Sequence, residues 1–423
     1  MGNSIFKAFR SRNYKLYFFG QSLSLIGTWM QRTAVYWVVF EKTNSPFMLG
    51  VTVFAAQFPS FVFSMVGGVV SDRYDRFKVL LTSQVASLLQ AATLTLLMMT
   101  PGFEVWHILA LTVALGVINA FDVPARQALV YDMVDKKEDL PNAIALNSSM
   151  VHAARLVGPA LSGVMLEALG AEACFGLNAF SFLAVIVSLL FMTLPPYKRP
   201  ERLQNAWGDL VNGYKYLKDT PAIANVMLML ALISLLSLPY VTLLPIYARD
   251  IFEGNASTFG YLNSFVGAGA LTGALFLASL AAGTNLKRIL FTNTILFGLG
   301  LILFSYTGNI FSAMPFLIMA GFGMMSQTTI SNTLIQTAVA PAMRGRVISY
   351  YAMAFFGMQP IGGLLVGSIS TLIGVPNTIL LQGVFTILIA VAFMPFLRRR
   401  DLKESDKMKI DQLEERTAEA SGM

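Results

Sequence analysis

Apolar runs of about twenty residues follow one another along almost the whole 423-residue chain, and this repetition constrains the fold more than any other feature. A helix crosses about 30 Å of hydrocarbon with roughly 20 residues at 1.5 Å rise each. Such runs fall at residues 14–40, 47–70, 79–99, 106–131, 141–168, 173–194, 222–247, 258–282, 289–306, 312–339, 347–371 and 377–397. Lipid offers backbone N–H and C=O groups no partner, so each run satisfies its own as a helix. The chain is 55% hydrophobic and 13% charged, whereas soluble domains carry roughly 25% charged residues. The surplus apolar surface must face lipid. The expected fold class is therefore an all-α membrane protein with twelve transmembrane helices.

The net charge of +7 follows topology and gives no reason to expect nucleic acid as a partner. With the N-terminus in the cytoplasm, Lys7, Arg10, Arg12, Arg73 to Lys78, Lys136, Lys137, Lys198 to Lys218, Lys287, Arg288, Arg344, Arg346 and the tail from Arg398 all lie on the cytoplasmic side. Only Lys42 and Arg249 fall outside. This is the positive-inside distribution, and it predicts a multi-pass protein of a bacterial inner membrane with both termini cytoplasmic. No small-residue cleavage site follows the first apolar run, which reads as an uncleaved span. The single cysteine, Cys174, excludes an internal disulfide, and two separated histidines, His107 and His152, form no metal-ligand cluster. Neither a metal nor another cofactor is expected.

Pro195, Pro196 and Pro200 end the sixth run before a polar stretch reaching Thr220 and Pro221. Four units follow: a six-helix bundle over 1–195, a cytoplasmic linker over 196–221, a second six-helix bundle over 222–397 and a tail over 398–423. Within the linker, Trp207, Leu210, Val211, Tyr214 and Leu217 recur at helical spacing, with Asp209, Lys215 and Lys218 elsewhere around the helix. Such a helix lies either in the membrane interface or on the cytoplasmic protein surface. The tail from Leu402 mixes lysines with acids and lacks a sustained apolar face, so it is expected to be disordered. The halves also align weakly. Gln127 to Val134 matches Asn332 to Val339, and Pro159 matches Pro360, the parallel repeat of transporters whose halves rock about a central site.

Enzyme motifs give no lead: the sequence contains neither a G-x-x-x-x-G-K-[ST] phosphate loop nor H-E-x-x-H, and no convincing nucleophile elbow. Gly267, Gly269 and Gly273 lie inside the eighth run without a preceding strand and read as helix-packing positions.

The loop after the second run reads Gly68-Val-Val-Ser-Asp72-Arg73-Tyr74-Asp75-Arg76-Phe77-Lys78. It resembles the G-x-x-x-D-R-x-G-R motif of the major facilitator superfamily, departing from it at Asp75, where a glycine is usual. In the fifth run, Gly158-Pro159 followed by Gly163 resembles the G-P-x-x-x-G part of the antiporter motif. With Gly20-Gln21 through Gly27-Thr28-Trp29-Met30-Gln31, and Asp122-Val-Pro124-Ala-Arg126-Gln127, the chain is similar to the branch holding enterobactin exporters and drug–proton antiporters. The resemblance implies the major facilitator fold, two pseudo-symmetric six-helix bundles, and alternating access. It also implies that Gly68, Asp72, Arg73 and Arg76 hold the cytoplasmic ends of the bundles together. A solvated turn with topology anchors is the plainer reading of the same loop.

Charges at membrane depth are functional candidates because each costs about 3 kcal/mol even on lenient scales. Gln21, Thr28 and Arg32 share a stripe of the first helix that should face a substrate cavity, unless Arg32 reaches out to the interface. Asp122 and Arg126 stand at i, i+4 on the fourth helix and suit a gate network with Arg76. His152 and Arg155 lie mid-depth on the face of Pro159. Arg155 suits cavity chemistry, with a structural pair to Asp122 as the alternative. Trp29, Tyr36, Tyr240, Tyr247 and Tyr351 offer aromatic walls; of these Tyr240 is taken as a cavity residue.

Few deep acids oppose these cations, so the field favours an anionic or zwitterionic amphiphile. The expected activity is export of a small siderophore-like or drug-like amphiphile, proton-coupled by resemblance, from a monomer surrounded by lipid. A lipid or lysolipid translocator, or a non-transporting sensor, are the competing readings.

Overall fold

The computed structural model describes residues 6–194, 206–281, 283–340 and 343–398. The prolines after the sixth run and the tail expected to be disordered lie outside the described residues. The helices are α1 (Arg12–Thr43), α2 (Pro46–Arg73), α3 (Arg76–Met98), α4 (Val105–Met133), α5 (Leu140–Leu169), α6 (Ala171–Leu190), α7 (Ala206–Asp219), α8 (Pro221–Ile251), α9 (Ala256–Ala278), α10 (Leu286–Ser305), α11 (Ile310–Ala338), α12 (Arg344–Ile373) and α13 (Val375–Arg398), and among the described residues there is no strand. Ten of them are long and apolar enough to cross a membrane: α2, α3, α4, α6 and α8 to α13. Helices α1 and α5, at 32 and 30 residues, are long enough but more polar. They carry Gln21, Gln31 and Arg32, and Asn147, His152 and Arg155.

Local chemistry sets the ends of these helices. Asn44 adopts the left-handed conformation (φ 49°) that closes α1, one of the few side chains that tolerates it. Asn255, Asn285 and Asn309 each accept a backbone N–H at the start of α9, α10 and α11. Asp75, the departure from the family glycine, caps α3 by accepting the Phe77 N–H at 3.0 Å. His107 pairs with Glu104 in a capping box at the start of α4, and Cys174 packs in an apolar cluster with Val35, Val39 and Phe175. Helix α8 is irregular where Pro239 and Pro245 remove backbone donors: a 3-10 turn spans Leu238–Leu243 and a π turn Tyr247–Ile251.

Helix α1 packs on α5 and α6, α3 on α4 and α6, and α2 on α4. Correspondingly α9 packs on α11, α10 on α11 and α13, and α8 on α12 and α13. Two pairs, α5 with α9 and α2 with α12, join helices from before and after α7. Buried amides lock α1, α3 and α6: Asn178 donates to Gln31 at 2.8 Å, Gln31 to Gln90 at 3.0 Å, and Gln90 to the Leu111 carbonyl of α4 at 3.2 Å. Helix α7 rests one face on the molecule. Leu217 is buried, Gly213 abuts Tyr350 and Arg346, and Tyr216 Oη accepts the Ala340 N–H, while Val211 and Tyr214 stay exposed.

The sequence repeat reappears in helix lengths and contacts. Helices α4 and α11 each have 29 residues and end at Met133 and Ala338, in the register of the Val134–Val339 match. Helices α5 and α12 both close on glycines of positive φ, Gly170 (84°) and Gly374 (83°). The contacts of α5 and α12 correct one detail, because Gly363 and not Pro360 takes the place of Pro159. A Cβ on Gly260 would sit 2.5 Å from the Pro159 carbonyl oxygen, and one on Gly50 would sit 2.5 Å from the Gly363 carbonyl oxygen. One turn on, a Cβ on Gly163 would meet the Ala256 carbonyl and one on Gly367 the Pro46 carbonyl, each at 2.8 Å. Both seams are thus built backbone against backbone, which only glycine permits.

Candidate functional site

These glycine seams close one end of the molecule, the end bearing the turns after α1, α5, α8 and α12. Aromatic stacking of Trp37 on Phe259, with centroids 6.1 Å apart, reinforces the closure, as does the Ser257 hydroxyl donating to the Glu167 carboxylate. The two cations that broke the charge asymmetry are tied down here. Arg249 lies 4.1 Å over the Phe40 ring and pairs with Asp250 at 2.7 Å, and Lys42 donates to the Phe103 carbonyl at 3.3 Å while lying over its ring.

Below the seams is a cavity lined by Trp29, Arg32 and Tyr36 of α1, Arg155 and Pro159 of α5, Gln57, Asn263 and Gln359 of α2, α9 and α12, and the 3-10 segment of α8. Several local features build it. Gly158 brings α5 against α1, since a Cβ there would sit 2.5 Å from the Trp29 Cβ. Pro159 donates no N–H, which frees the carbonyl of Arg155, and this carbonyl faces Gly267 of α9. The adjacent Leu156 carbonyl accepts the Ser264 hydroxyl at 2.9 Å. The guanidinium carbons of Arg32 and Arg155 both lie 5.2 Å from the Trp29 ring centroid, and that of Arg32 lies 5.8 Å from the Tyr36 ring.

Of the six cavity residues expected from sequence, Arg32 and Arg155 line this space. Arg32 is exposed, and the space that it lines is this cavity. Gln21 is instead buried in helix packing, and Thr28 donates back to the Ser24 carbonyl at 2.8 Å, so of the polar stripe of α1 it is Arg32 that lines the cavity. His152 and Tyr240 stand behind the lining, the Nδ1 of one and the Oη of the other buried without a hydrogen-bond partner among the described residues. Tyr247 is a packing residue that donates to the Ser305 carbonyl. Sequence reasoning missed Gln57, Asn263 and Gln359. Each is a lone amide in an apolar run, which is the signal that would have found them.

The gate candidates divide. Asp122 pairs with Arg126 at 3.2 Å and accepts from Gln84 at 2.6 Å, so Asp122 is not the partner of Arg155. Arg76 pairs with Asp132 at 3.8 Å and not with Asp122. Arg73 is exposed and Gly68 has open space around its Cα; the Asp72 side chain lies outside the described residues.

Comparison with known proteins agrees with this architecture. The nucleoside transporter NupG superimposes with a TM-score of 0.73 at 14% identity, covering 91% of this chain and 98% of that one. A POT family transporter in complex with 5-aminolevulinic acid gives 0.72 at 13% identity, over 92% and 97%. Among sequences, the staphyloferrin A transporter of Staphylococcus aureus is 26% identical over 92% of this chain and 97% of its own length. The macrolide efflux protein A of Streptococcus pyogenes is 24% identical over 92% and 99%, and the enterobactin exporter of Shigella boydii 27% identical over 85% of both. The model of the transmembrane secretion effector family matches residues 3–423. This chain is a multi-pass membrane protein and belongs to the transmembrane secretion effector family of major facilitator transporters.

Proposed function

We propose that this protein exports a small amphiphile by alternating access between two six-helix bundles, α1 to α6 and α8 to α13, with α7 as the linker. The carrying observation is the pair of equivalent glycine seams, Gly163–Gly260 and Gly50–Gly367, above a cavity holding two arginines. Two like interfaces, each joining one helix of the first bundle to one of the second, form a shared hinge line about which the bundles can rock. By the positive-inside reading the closed end faces outward, so this conformation receives cargo from the cytoplasm. In this reading α1 and α5 complete twelve spans, and their polar residues are the reason they fall short of the other ten in apolar character.

Siderophore and macrolide relatives support a siderophore-like or drug-like cargo. Proton coupling rests on the resemblance to drug–proton antiporters; among the described residues Asp122 is the one buried acid within the long helices. The test is uptake into inside-out vesicles of staphyloferrin A, enterobactin and a macrolide, with and without an imposed pH gradient. Gradient-dependent accumulation of one of them, lost in Arg155→Ala, is expected. Accumulation indifferent to the gradient removes the coupling. Lipid movement without accumulation of any of the three would favour a lipid translocator of the same fold.

A further inference from the structure

We propose that Arg32 and Arg155, both lying against the indole of Trp29, form a receptor for a substrate carrying two acid groups. The inference rests on the transport reading and names the chemistry of its cargo. Both guanidiniums lie well inside long helices, Arg155 near the middle of α5 and Arg32 in the latter half of α1. Neither takes part in an ion pair among the described residues, where the pairs are Arg76–Asp132, Arg126–Asp122 and Arg249–Asp250. The cavity lining contains no acid: its other polar side chains are Thr33, Gln57, Thr242, Asn263 and Gln359, together with the Tyr36 phenol. Two cations without an acid partner at membrane depth repel each other, and the more buried of the two, Arg155, also loses solvation. A single negative charge compensates one of them; two compensate both. A lipophilic cation would meet the same field with the opposite sign.

Geometry limits how the charges are spaced. Each guanidinium carbon is 5.2 Å from one ring centroid, so the two are at most about 10 Å apart. Acid groups joined by a short or aromatic spacer reach both. Trp29 then offers its face to the spacer, as rings stack at 4.5–7 Å in proteins. Tyr36 supplies an independent pointer. It lines the cavity, is 6% exposed, and its Oη is buried without a hydrogen-bond partner, leaving an O–H free to donate to an anionic oxygen.

The experiment uses the full chain in phosphatidylcholine nanodiscs, with Trp37, Trp106 and Trp207 replaced by Phe so that Trp29 alone reports. Isophthalate, benzoate and benzyltrimethylammonium are titrated against its fluorescence. Isophthalate is expected to bind about tenfold or more tighter than benzoate, a difference of about 1.4 kcal/mol, and the cation not at all. Arg32→Gln and Arg155→Gln should each bring isophthalate down to the benzoate value, while Arg32→Lys and Arg155→Lys, which keep the charge, retain part of the preference. Equal binding of isophthalate and benzoate, or a preference that survives both Gln variants in protein with an unchanged melting profile, overturns the proposal. Phosphatidic acid in the nanodisc, a doubly charged headgroup, separates the sources: if it abolishes isophthalate binding the site takes lipid, and the soluble two-acid cargo is refuted. The vesicle assay remains independent. Transport that persists without acid selectivity leaves the transport reading standing and removes only this one.

Discussion

Adding one methyl group at Gly260 tests whether the glycine seam sets the conformational equilibrium. An alanine Cβ there would lie 2.5 Å from the Pro159 carbonyl oxygen and 2.9 Å from the Gly163 Cα. Ordinary contact begins at 3.4 Å, so α5 and α9 must part by about 0.9 Å, and both obstacles are backbone that no rotamer change can move. Overpacking of this kind costs about 1–3 kcal/mol. The gain in helix propensity from glycine to alanine, about 1 kcal/mol, acts in every conformation alike and cancels between them. A differential cost of about 2 kcal/mol against the state closed at this end is roughly a thirtyfold shift, which raises a conformer present at about 1% to about a quarter. Spin labels at Leu169 and Leu372, exposed at the closed ends of α5 and α12, would report the separation as a longer-distance population. A second pair at Lys136 and Ala281, at the opposite end, should shorten in step, all in a Cys174→Ser background. Gly50→Ala should act alike, because it meets the Gly363 carbonyl at the same 2.5 Å, whereas Gly176→Ala, with only Thr95 Cγ2 at 3.6 Å, should do nothing. Unchanged distance distributions in folded Gly260→Ala and Gly50→Ala would refute the seam as the closing element.

Two further expectations follow from pairings in the first six helices. Asp122→Ala leaves the half-buried Arg126 guanidinium without its carboxylate and should destabilise by about 2–3 kcal/mol, below the cost of breaking a fully buried pair; thermal unfolding in detergent checks it, and the Asp122→Ala/Arg126→Ala double variant should lose clearly less than the sum of the singles. Additive losses would show that the pair is not coupled. Asp75→Ala should cost about 1 kcal/mol through loss of the α3 cap, while Asp75→Gly, the residue usual in the family, should cost only a few tenths; equal unfolding midpoints for the two variants would argue against the cap.

How far sequence reasoning reached follows from which forces are local. Apolar runs of membrane length fix helices because lipid leaves the backbone no other partner, and the helix ends follow from Asn44, Asp75, Asn255 and Gly170, whose conformational preferences are their own. Sequence also brought out Arg155, because a cation in an apolar run is costly wherever the run goes. Gln21 and Thr28 stand apart from the cavity lining, Gln21 buried between helices and Thr28 bonded to its own backbone, because periodicity does not say which neighbour covers a face. The likeness of Pro159 to Pro360 was a matter of letters; the seams show Gly363 in the equivalent place, since backbone approach and not residue identity is what the two interfaces share. Helical character, boundaries and the scarcity of deep charge were therefore determined by the sequence alone. The tertiary structure alone decided that Asp122 belongs to Arg126, that Arg32 and Arg155 meet at Trp29, and which end is closed, because those contacts join residues far apart in the chain whose pairing only the packing of whole helices can choose.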